Sequence, residues 1–186
     1  LVAVLVACGG GGGSSGTTNG GSSGGGTGAT AAKVVEVGAS ATSLRSADTD
    51  GITISAMVKD AANNAVTGQA VSFVASSGVL RSVASVTGAD GRATALLTAG
   101  NDRSNRIITV TVKAGSVEGN VVVPVDGTML SVAGSSSLLL GASTTYAVTL
   151  KDSGGNAIAA LPITVKSALG NTVTPAQSTT DNAGAT

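Results

Sequence analysis

Few side chains in this sequence could take part in catalysis. The 186 residues include one cysteine, Cys8, and no histidine. General-base catalysis, a Ser-His-Asp triad and imidazole-metal chemistry would each have to be built from other residue types. Serine and threonine are plentiful, but a hydroxyl needs a neighbouring base before it becomes a nucleophile. We therefore predict no catalytic residue in this chain and no enzymatic activity.

The acidic residues offer weak candidates for ligand binding. Asp48 and Asp50 could contribute to a calcium site, but calcium takes about six to eight oxygen ligands and no acidic repeat surrounds them. Asp60 and Asp152 stand at turns, where an aspartate needs only to accept its own backbone amides. Residues 9–13 lack the lysine and the helix of a phosphate loop. We predict no metal site and no cofactor.

The composition limits the possible partners. Formal net charge is zero, only 11% of residues are charged and 1% are aromatic, so there is no electrostatic or stacking basis for binding nucleic acid. The two aromatic rings, Phe73 and Tyr146, fall on predicted strands, and we expect both in the core. The rest of the composition is mainly Val, Thr, Ala, Ser and Gly, which favours strands joined by turns.

A short apolar run precedes the cysteine. Residues 1–7 read Leu-Val-Ala-Val-Leu-Val-Ala, which is too short to span a bilayer and is typical of the end of a signal-peptide hydrophobic region. Four residues resemble the lipobox of bacterial lipoproteins: Leu5, Val6, Ala7 and Cys8. The resemblance implies that the Cys8 thiol carries a diacylglycerol and that the chain is cut before it. The alternative is a buried strand in which Cys8 is an ordinary apolar filler.

The segment after the cysteine is low in complexity. Residues 9–30 contain only Gly, Ser, Thr, Ala and one Asn, and they cannot bury enough apolar surface to offset the entropy of ordering. We predict that residues 9–32 form a disordered tether with a root-mean-square span of about 25 Å. Because Gly9 rather than aspartate follows the cysteine, the lipoprotein resemblance implies the outer membrane, with the chain exposed at the surface. We also expect a basic signal-peptide region before Leu1.

The rest of the chain contains an internal repeat. Shifting the sequence by 92 residues places Ile54–Thr94 on Tyr146–Thr186 without a gap, including Ala93-Thr94 on Ala185-Thr186. A shift of one further residue near the end aligns Gly91 with Gly184. The identities fall at turns and the aliphatic matches keep the strand phase, which is typical of a duplicated β domain.

Alternating apolar residues predict strands in the first copy. Ile52, Ile54, Ala56 and Val58 would share the apolar side of one strand, and the turn at residues 60–64 would reverse the chain. Further alternating runs predict four more strands: Gln69–Ala75, Ala93–Thr98, Arg106–Ala114 and Val117–Val125. Strands at this spacing indicate an all-β, immunoglobulin-like sandwich whose core is aliphatic.

Three motifs of the first copy resemble a known family. Ile54–Asp60, Val66–Phe73 and Thr87–Thr94 are similar to the bacterial immunoglobulin-like group 1 domains that occur in tandem in invasin and intimin. This resemblance implies a complete domain at residues 33–126 and a second domain cut short at 127–186. With the partial signal peptide at 1–8 and the tether at 9–32, the chain divides into four regions. Ala159-Ala160 replaces Thr67-Gly68, so we expect a differently built turn in the second copy.

These features predict a non-catalytic lipoprotein of the bacterial cell envelope, held in the membrane through Cys8. Its repeats would act as a stalk in an adhesin-like protein, and a protein or glycan ligand would be contacted by distal modules. Two alternatives stay open at this point. The repeats themselves could bind a host receptor, a glycan or a neighbouring cell, or they could support an enzyme domain beyond residue 186.

Limited proteolysis tests the prediction that the second copy is incomplete. An unpaired half sandwich exposes strand edges and apolar faces, so residues 128–186 should be cleaved well before residues 33–125. Mass spectrometry of the fragments over time measures this order. Equal resistance of the two regions would contradict the prediction.

Overall fold

The computed structural model describes residues 31–186, which form ten strands and no helix. The strands are β1 (Val34–Ala39), β2 (Leu44–Arg45), β3 (Ile52–Lys59), β4 (Ser72–Ala75), β5 (Val79–Arg81), β6 (Arg92–Thr98), β7 (Arg106–Ala114), β8 (Val117–Asp126), β9 (Met129–Ala133) and β10 (Ala147–Lys151). None of the described residues forms a helix long and apolar enough to span a bilayer.

Strands β1 to β8 form two four-stranded sheets, called here the sandwich (residues 33–126). The strand orders are β1-β3-β6-β5 and β2-β8-β7-β4. All neighbouring strands are antiparallel except β2 and β8, which run parallel. The longest pairing joins β7 to β8 through a two-residue turn in which Gly115 has a φ of 62°, as a tight hairpin requires. The predicted all-β, immunoglobulin-like fold is confirmed.

The core of the sandwich is aliphatic. The inward side chains of β3, at Ile52, Ile54, Ala56 and Val58, are at most 7% exposed. They face the apolar sides of β7 and β8 from the opposite sheet, in two clusters of buried residues that Phe73 joins. Burial of each valine or isoleucine side chain contributes about 1.5–3 kcal/mol, so the fold is stabilised without the disulfide and tryptophan of antibody domains.

The alternation correctly predicted five strands of the sandwich. Strands β3 and β7 have the predicted bounds, and β4, β6 and β8 differ from the predicted runs by one to three residues at their ends. Strands β1, β2 and β5 were missed by the pattern analysis. Strand β1 is half-buried and β2 and β5 have only two and three residues, so none of them carries a clear period-two signal.

The C-terminal segment (residues 127–186) begins with a separate two-stranded sheet of β9 and β10. Leu130 pairs with Leu150 and Val132 pairs with Val148, so these four apolar side chains share one face. Leu150 and Val148 are buried, whereas Leu130 and Val132 are 56% and 62% exposed. Within residues 127–186 the structure describes no strands equivalent to β7 and β8, which cover the corresponding face of the sandwich.

Backbone hydrogen bonds of the sandwich recur in the C-terminal segment. The Val66 N–H donates to the Val58 carbonyl at 2.9 Å, and the Ile158 N–H donates to the Leu150 carbonyl at 3.1 Å, 92 residues later. The Val58 N–H donates to the Gly91 carbonyl at 2.9 Å. The equivalent bond, at 2.7 Å, joins the Leu150 N–H to residue 184 rather than residue 183.

The ungapped alignment of the two copies is therefore wrong near its end. Thr149 bridges to Ala185 as Met57 pairs with Arg92, so Ala185 corresponds to Arg92 and not to Ala93. The bond from Ile163 to Ser178 repeats the bond from Val71 to Ser85, which places the extra residue between positions 163 and 178. The shift that aligns Gly91 with Gly184 is the one that the hydrogen bonds follow.

The turn at Ala159-Ala160 is built in the same way as its counterpart, contrary to the expectation from sequence. The Gly68 N–H donates to the Thr87 carbonyl at 3.0 Å, and the Ala160 N–H donates to the Thr180 carbonyl at 2.8 Å. Gly68 has a φ of 70° and Ala160 a φ of 59°. The C-terminal segment keeps the left-handed geometry and holds an L-residue in it, which costs about 1–2 kcal/mol.

One of the two aromatic predictions is also wrong. Phe73 packs against both core clusters as expected. Tyr146 precedes β10 and is 48% exposed, and its hydroxyl donates to the Ser135 carbonyl at 2.7 Å. The ring lies against Gly134. A phenol needs a polar partner, and the loop before β10 supplies one in the Ser135 carbonyl.

The two left-handed turns form a matched pair for mutation. We expect Gly68→Ala to lower the free energy of unfolding by about 0.5–1 kcal/mol and Ala160→Gly to raise it by a similar amount, since backbone strain outweighs chain entropy where φ is positive. No atom lies within 4 Å of an added Cβ at Gly68, so steric overlap does not contribute. Urea denaturation midpoints measure both changes. Shifts of the same sign would contradict the explanation.

Candidate functional site

The residues predicted to form the membrane anchor lie outside the described part of the chain. Cys8 and the residues before it, Leu5, Val6 and Ala7, all precede residue 31, where the description begins. Lipidation at Cys8 therefore stays a prediction.

The acidic pair considered for calcium forms a local turn. The Asp48 Oδ1 accepts hydrogen bonds from the backbone N–H groups of Asp50 at 2.9 Å and Gly51 at 3.3 Å. Across residues 31–186, no three His, Cys, Asp or Glu side chains are close enough to hold a metal ion together. The geometry of Asp48 is explained by the turn that leads into β3.

Asp60 and Asp152 each cap the turn that follows their strand, as the sequence predicted. Asp60 Oδ1 accepts from the backbone N–H groups of Ala62 and Asn64, both at 2.8 Å. Asp152 Oδ1 accepts from those of Gly154 at 3.0 Å and Asn156 at 2.9 Å. The two turns therefore share one hydrogen-bonding framework. They differ in their surroundings, since Asp152 is 3% exposed and Asp60 is only partly buried.

Asp152 is buried because its turn lies against the end of the sandwich. We call this contact the joint; it consists of Ser46, Ala47, Arg103 and Asn105 of the sandwich and Thr128 and Asp152–Gly154 of the C-terminal segment. Two reciprocal hydrogen bonds form its centre. The Ser153 N–H donates to Ser46 Oγ and the Ala47 N–H donates to Ser153 Oγ, each at 2.9 Å.

An ion pair lies beside these hydrogen bonds. The Arg103 guanidinium donates to Asp152 Oδ2, and the Asp152 side chain is fully buried while that of Arg103 is 39% exposed. Burial raises the pKa of the Asp152 carboxyl, but hydrogen bonds from the Asn156 backbone, from Arg103 and from the Asn156 side chain together hold that pKa below its ordinary value. The buried carboxylate is therefore charged and paired at neutral pH.

The link between the two parts of the chain is fixed as well. The Thr128 N–H donates to Asn105 Oδ1 at 2.9 Å, and Asn105 Nδ2 donates to the Thr128 carbonyl at 3.0 Å. The Thr128 hydroxyl donates to the Arg103 carbonyl. The loop before β7 thus holds both the connecting residue and the Asp152 turn, so the sandwich contacts the C-terminal segment at separate points.

Sequence reasoning missed every residue of the joint except Asp152. Arg103 and Asp152 are 49 residues apart, and Ser46 and Ser153 are 107 residues apart. One signal was present in the repeat, because Ser153-Gly154 stands where the first copy has Ala61-Ala62. That difference at otherwise equivalent turns marks the turn that another part of the chain covers.

The fold and this site define a class: an immunoglobulin-like β-sandwich whose functional-site candidate is the contact between one end of the sandwich and the segment that follows it. The family of bacterial Ig-like domains (group 1) matches residues 34–126, half of the chain. The chain belongs to this family.

Comparison with solved structures gives two similar chains. One is the adhesin InvE of Yersinia pseudotuberculosis, with 21% sequence identity and a TM-score of 0.52, covering 73% of this chain and 40% of that one. The other is the D00–D0 domain of intimin, with 24% identity and a TM-score of 0.45, covering 54% and 51%. No curated protein matches. The chain spans less than half the length of the adhesin, and the likeness concerns the fold.

The ion pair at the joint predicts a pH dependence. The pKa of Asp152 lies below the value of about 3.9 expected in the unfolded chain, so the charged carboxylate stabilises the folded protein above that pH. The contribution disappears as pH falls through the lower folded-state pKa. We expect Asp152→Asn to lower the free energy of unfolding by about 1–3 kcal/mol at neutral pH, and by much less once the pH is below the folded-state pKa of Asp152.

Asp60→Asn is the matched control for this measurement. Asp60 caps an equivalent turn, and hydrogen bonds from Asn64, first through its backbone, hold the pKa of Asp60 below its ordinary value. It has no arginine partner, so its replacement should have a smaller effect. Urea denaturation across the pH range compares the two variants. Equal effects, or an Asp152→Asn effect that does not change with pH, would contradict a role for Arg103.

Proposed function

We propose that this chain is a bacterial cell-surface protein in which immunoglobulin-like units form a non-catalytic spacer, anchored through acylated Cys8. The observation that carries the proposal is the position of the two connections of the sandwich. The chain enters at the end where the Lys33 N–H donates to the Lys59 carbonyl, and it leaves at the joint, next to the start of β3 at Ile52. The connections therefore lie at opposite ends of β3.

The length of β3 gives the separation that one unit provides. Its eight residues rise about 3.3 Å each, which is about 26 Å from end to end. A unit entered at one end and left at the other extends the chain by its full length. Hydrogen bonds and an ion pair at the joint favour a continued extension into the next unit. A flexible linker in its place would let the two units fold back on each other.

The chemistry of the surface supports a spacer better than an enzyme. The aspartates discussed above are occupied by turns or by an ion pair, and the family match is to an immunoglobulin-like domain. The similarity in fold to the adhesin InvE supports a place at the cell surface. Acylation of Cys8 would supply the membrane attachment, because two or more acyl chains hold a protein stably where a single chain is marginal.

Replacement of Cys8 tests the anchor. We expect Cys8→Ala to abolish incorporation of labelled palmitate and to move the protein from the membrane fraction to the soluble fraction, since the thiol that carries the lipid is lost. Ser14→Ala, in the neighbouring Gly/Ser segment, is the control and should behave as wild type. If Cys8→Ala stays membrane-bound and carries as much label as wild type, the anchor proposal fails, while the family assignment is unaffected.

A further inference from the structure

Two turns of the chain have the same backbone and different neighbours. In both, the leading aspartate accepts two backbone N–H groups, and the fourth residue has a positive φ, 65° at Asn63 and 80° at Gly155. The first turn, Asp-Ala-Ala-Asn-Asn at residues 60–64, is at the entry end of the sandwich. The second, Asp-Ser-Gly-Gly-Asn at residues 152–156, lies in the joint.

The two turns differ at three positions, and two of them, Ser153 and Gly154, contact the sandwich. The third, Gly155 in place of Asn63, has no atom within 4 Å of an added Cβ. Ser153 Oγ is the acceptor for the Ala47 N–H, and an alanine would leave that N–H without its partner. A Cβ added to Gly154 would lie 3.0 Å from Asn156 Nδ2 of its own turn and 3.2 Å from the Ala47 Cβ of the sandwich. The second distance is closer than two methyl carbons normally pack. An Asp-Ala-Ala turn would therefore lose a hydrogen bond and crowd the surface that Asp-Ser-Gly fits.

The carboxylate does not distinguish the two turns. Asp60 could accept an arginine as Asp152 accepts Arg103, since both carboxylates have the same two backbone donors. Arg103 contacts Asp152 in the arrangement in which the turn lies against Ser46, which is itself only 2% exposed. Selectivity thus comes from Ser153 and Gly154, and the ion pair adds binding strength to a turn already selected.

We propose that the exit end of the sandwich, formed by Ser46, Ala47 and Arg103, is a docking surface specific for the Asp-Ser-Gly turn of a following immunoglobulin-like unit, and that it rejects an Asp-Ala-Ala turn. The turn sequence then encodes the order of units. The unit at residues 33–126 carries the rejected turn and precedes the unit that carries the accepted one. This inference deepens the proposed spacer but does not depend on the lipid anchor.

Pulsed electron paramagnetic resonance on the full chain tests whether the sandwich end is specific for the Asp-Ser-Gly turn. In a Cys8→Ser background, spin labels at Lys113→Cys and Ala147→Cys report the distance between the sandwich and the C-terminal segment; both positions are exposed. We expect the double variant Ser153→Ala/Gly154→Ala to widen the distance distribution at least about twofold, because units without a firm interface move relative to one another.

The reciprocal exchange is the matched control. Ala61→Ser/Ala62→Gly places the accepted residues on the first turn, where no sandwich end lies against them, and should leave the distribution unchanged. The turn itself should survive Ser153→Ala/Gly154→Ala, because the first copy forms the same hydrogen bonds with Ala61-Ala62. Hydrogen-exchange protection of the Asn156 amide, which donates to Asp152, checks this directly.

A second variant keeps the test decisive if the exchanged turn unfolds. Ser46→Ala/Arg103→Ala alters only the sandwich side and leaves residues 127–186 unchanged, and it should widen the distribution to a similar extent. Arg81→Ala, on the exposed edge strand β5, is its control. Unchanged widths in the sandwich-side variant, or equal widening by the reciprocal exchange, would overturn the proposal, and neither outcome would affect the palmitate result.

Discussion

The burial of one carboxylate organises the connection between the two parts of this protein. Asp152 can be buried because every direction around its oxygens is occupied by a donor: two backbone N–H groups, the Asn156 side chain and the Arg103 guanidinium. An unpaired buried charge would be strongly destabilising. The Asp152 turn, Arg103 and the position of the turn against the sandwich therefore depend on one another. The orientation of the C-terminal segment follows from the need to pair the buried carboxylate. Among residues 31–186, no buried polar side chain lacks a partner.

The sandwich supplies the rigid surface on which this arrangement depends. Its two sheets meet through valine, isoleucine, leucine and alanine, with Phe73 between the two clusters. Interiors of this kind are close-packed and resist deformation, so Ser46 at the end of β2 and Arg103 before β7 are held at a fixed separation. A spacer needs this property, because a compliant unit would lose the orientation that the joint imposes.

The two aspartate-led turns share a hydrogen-bonding framework but differ in the residues that can contact another unit. The hydrogen-bonding framework around the two aspartate-led turns is shared, and it even keeps a left-handed backbone where Gly68 is replaced by Ala160. The framework is the part that the fold requires. Residues that the framework leaves free, such as those at 61 and 153, are available to serve contacts between units.

The sequence by itself determined the fold class, the strands with clear alternation and the aspartate turns, because these depend on neighbours within a few residues: side-chain direction has period two, and Asp60 caps N–H groups two and four residues ahead. It also predicts Cys8 lipidation from adjacent residues. Tertiary structure decided the one-residue shift in the repeat, the exposed position of Tyr146, and the joint. Contacts such as Arg103 with Asp152 and Ser46 with Ser153 join residues far apart in the chain, and no local pattern encodes which of many similar polar residues will meet.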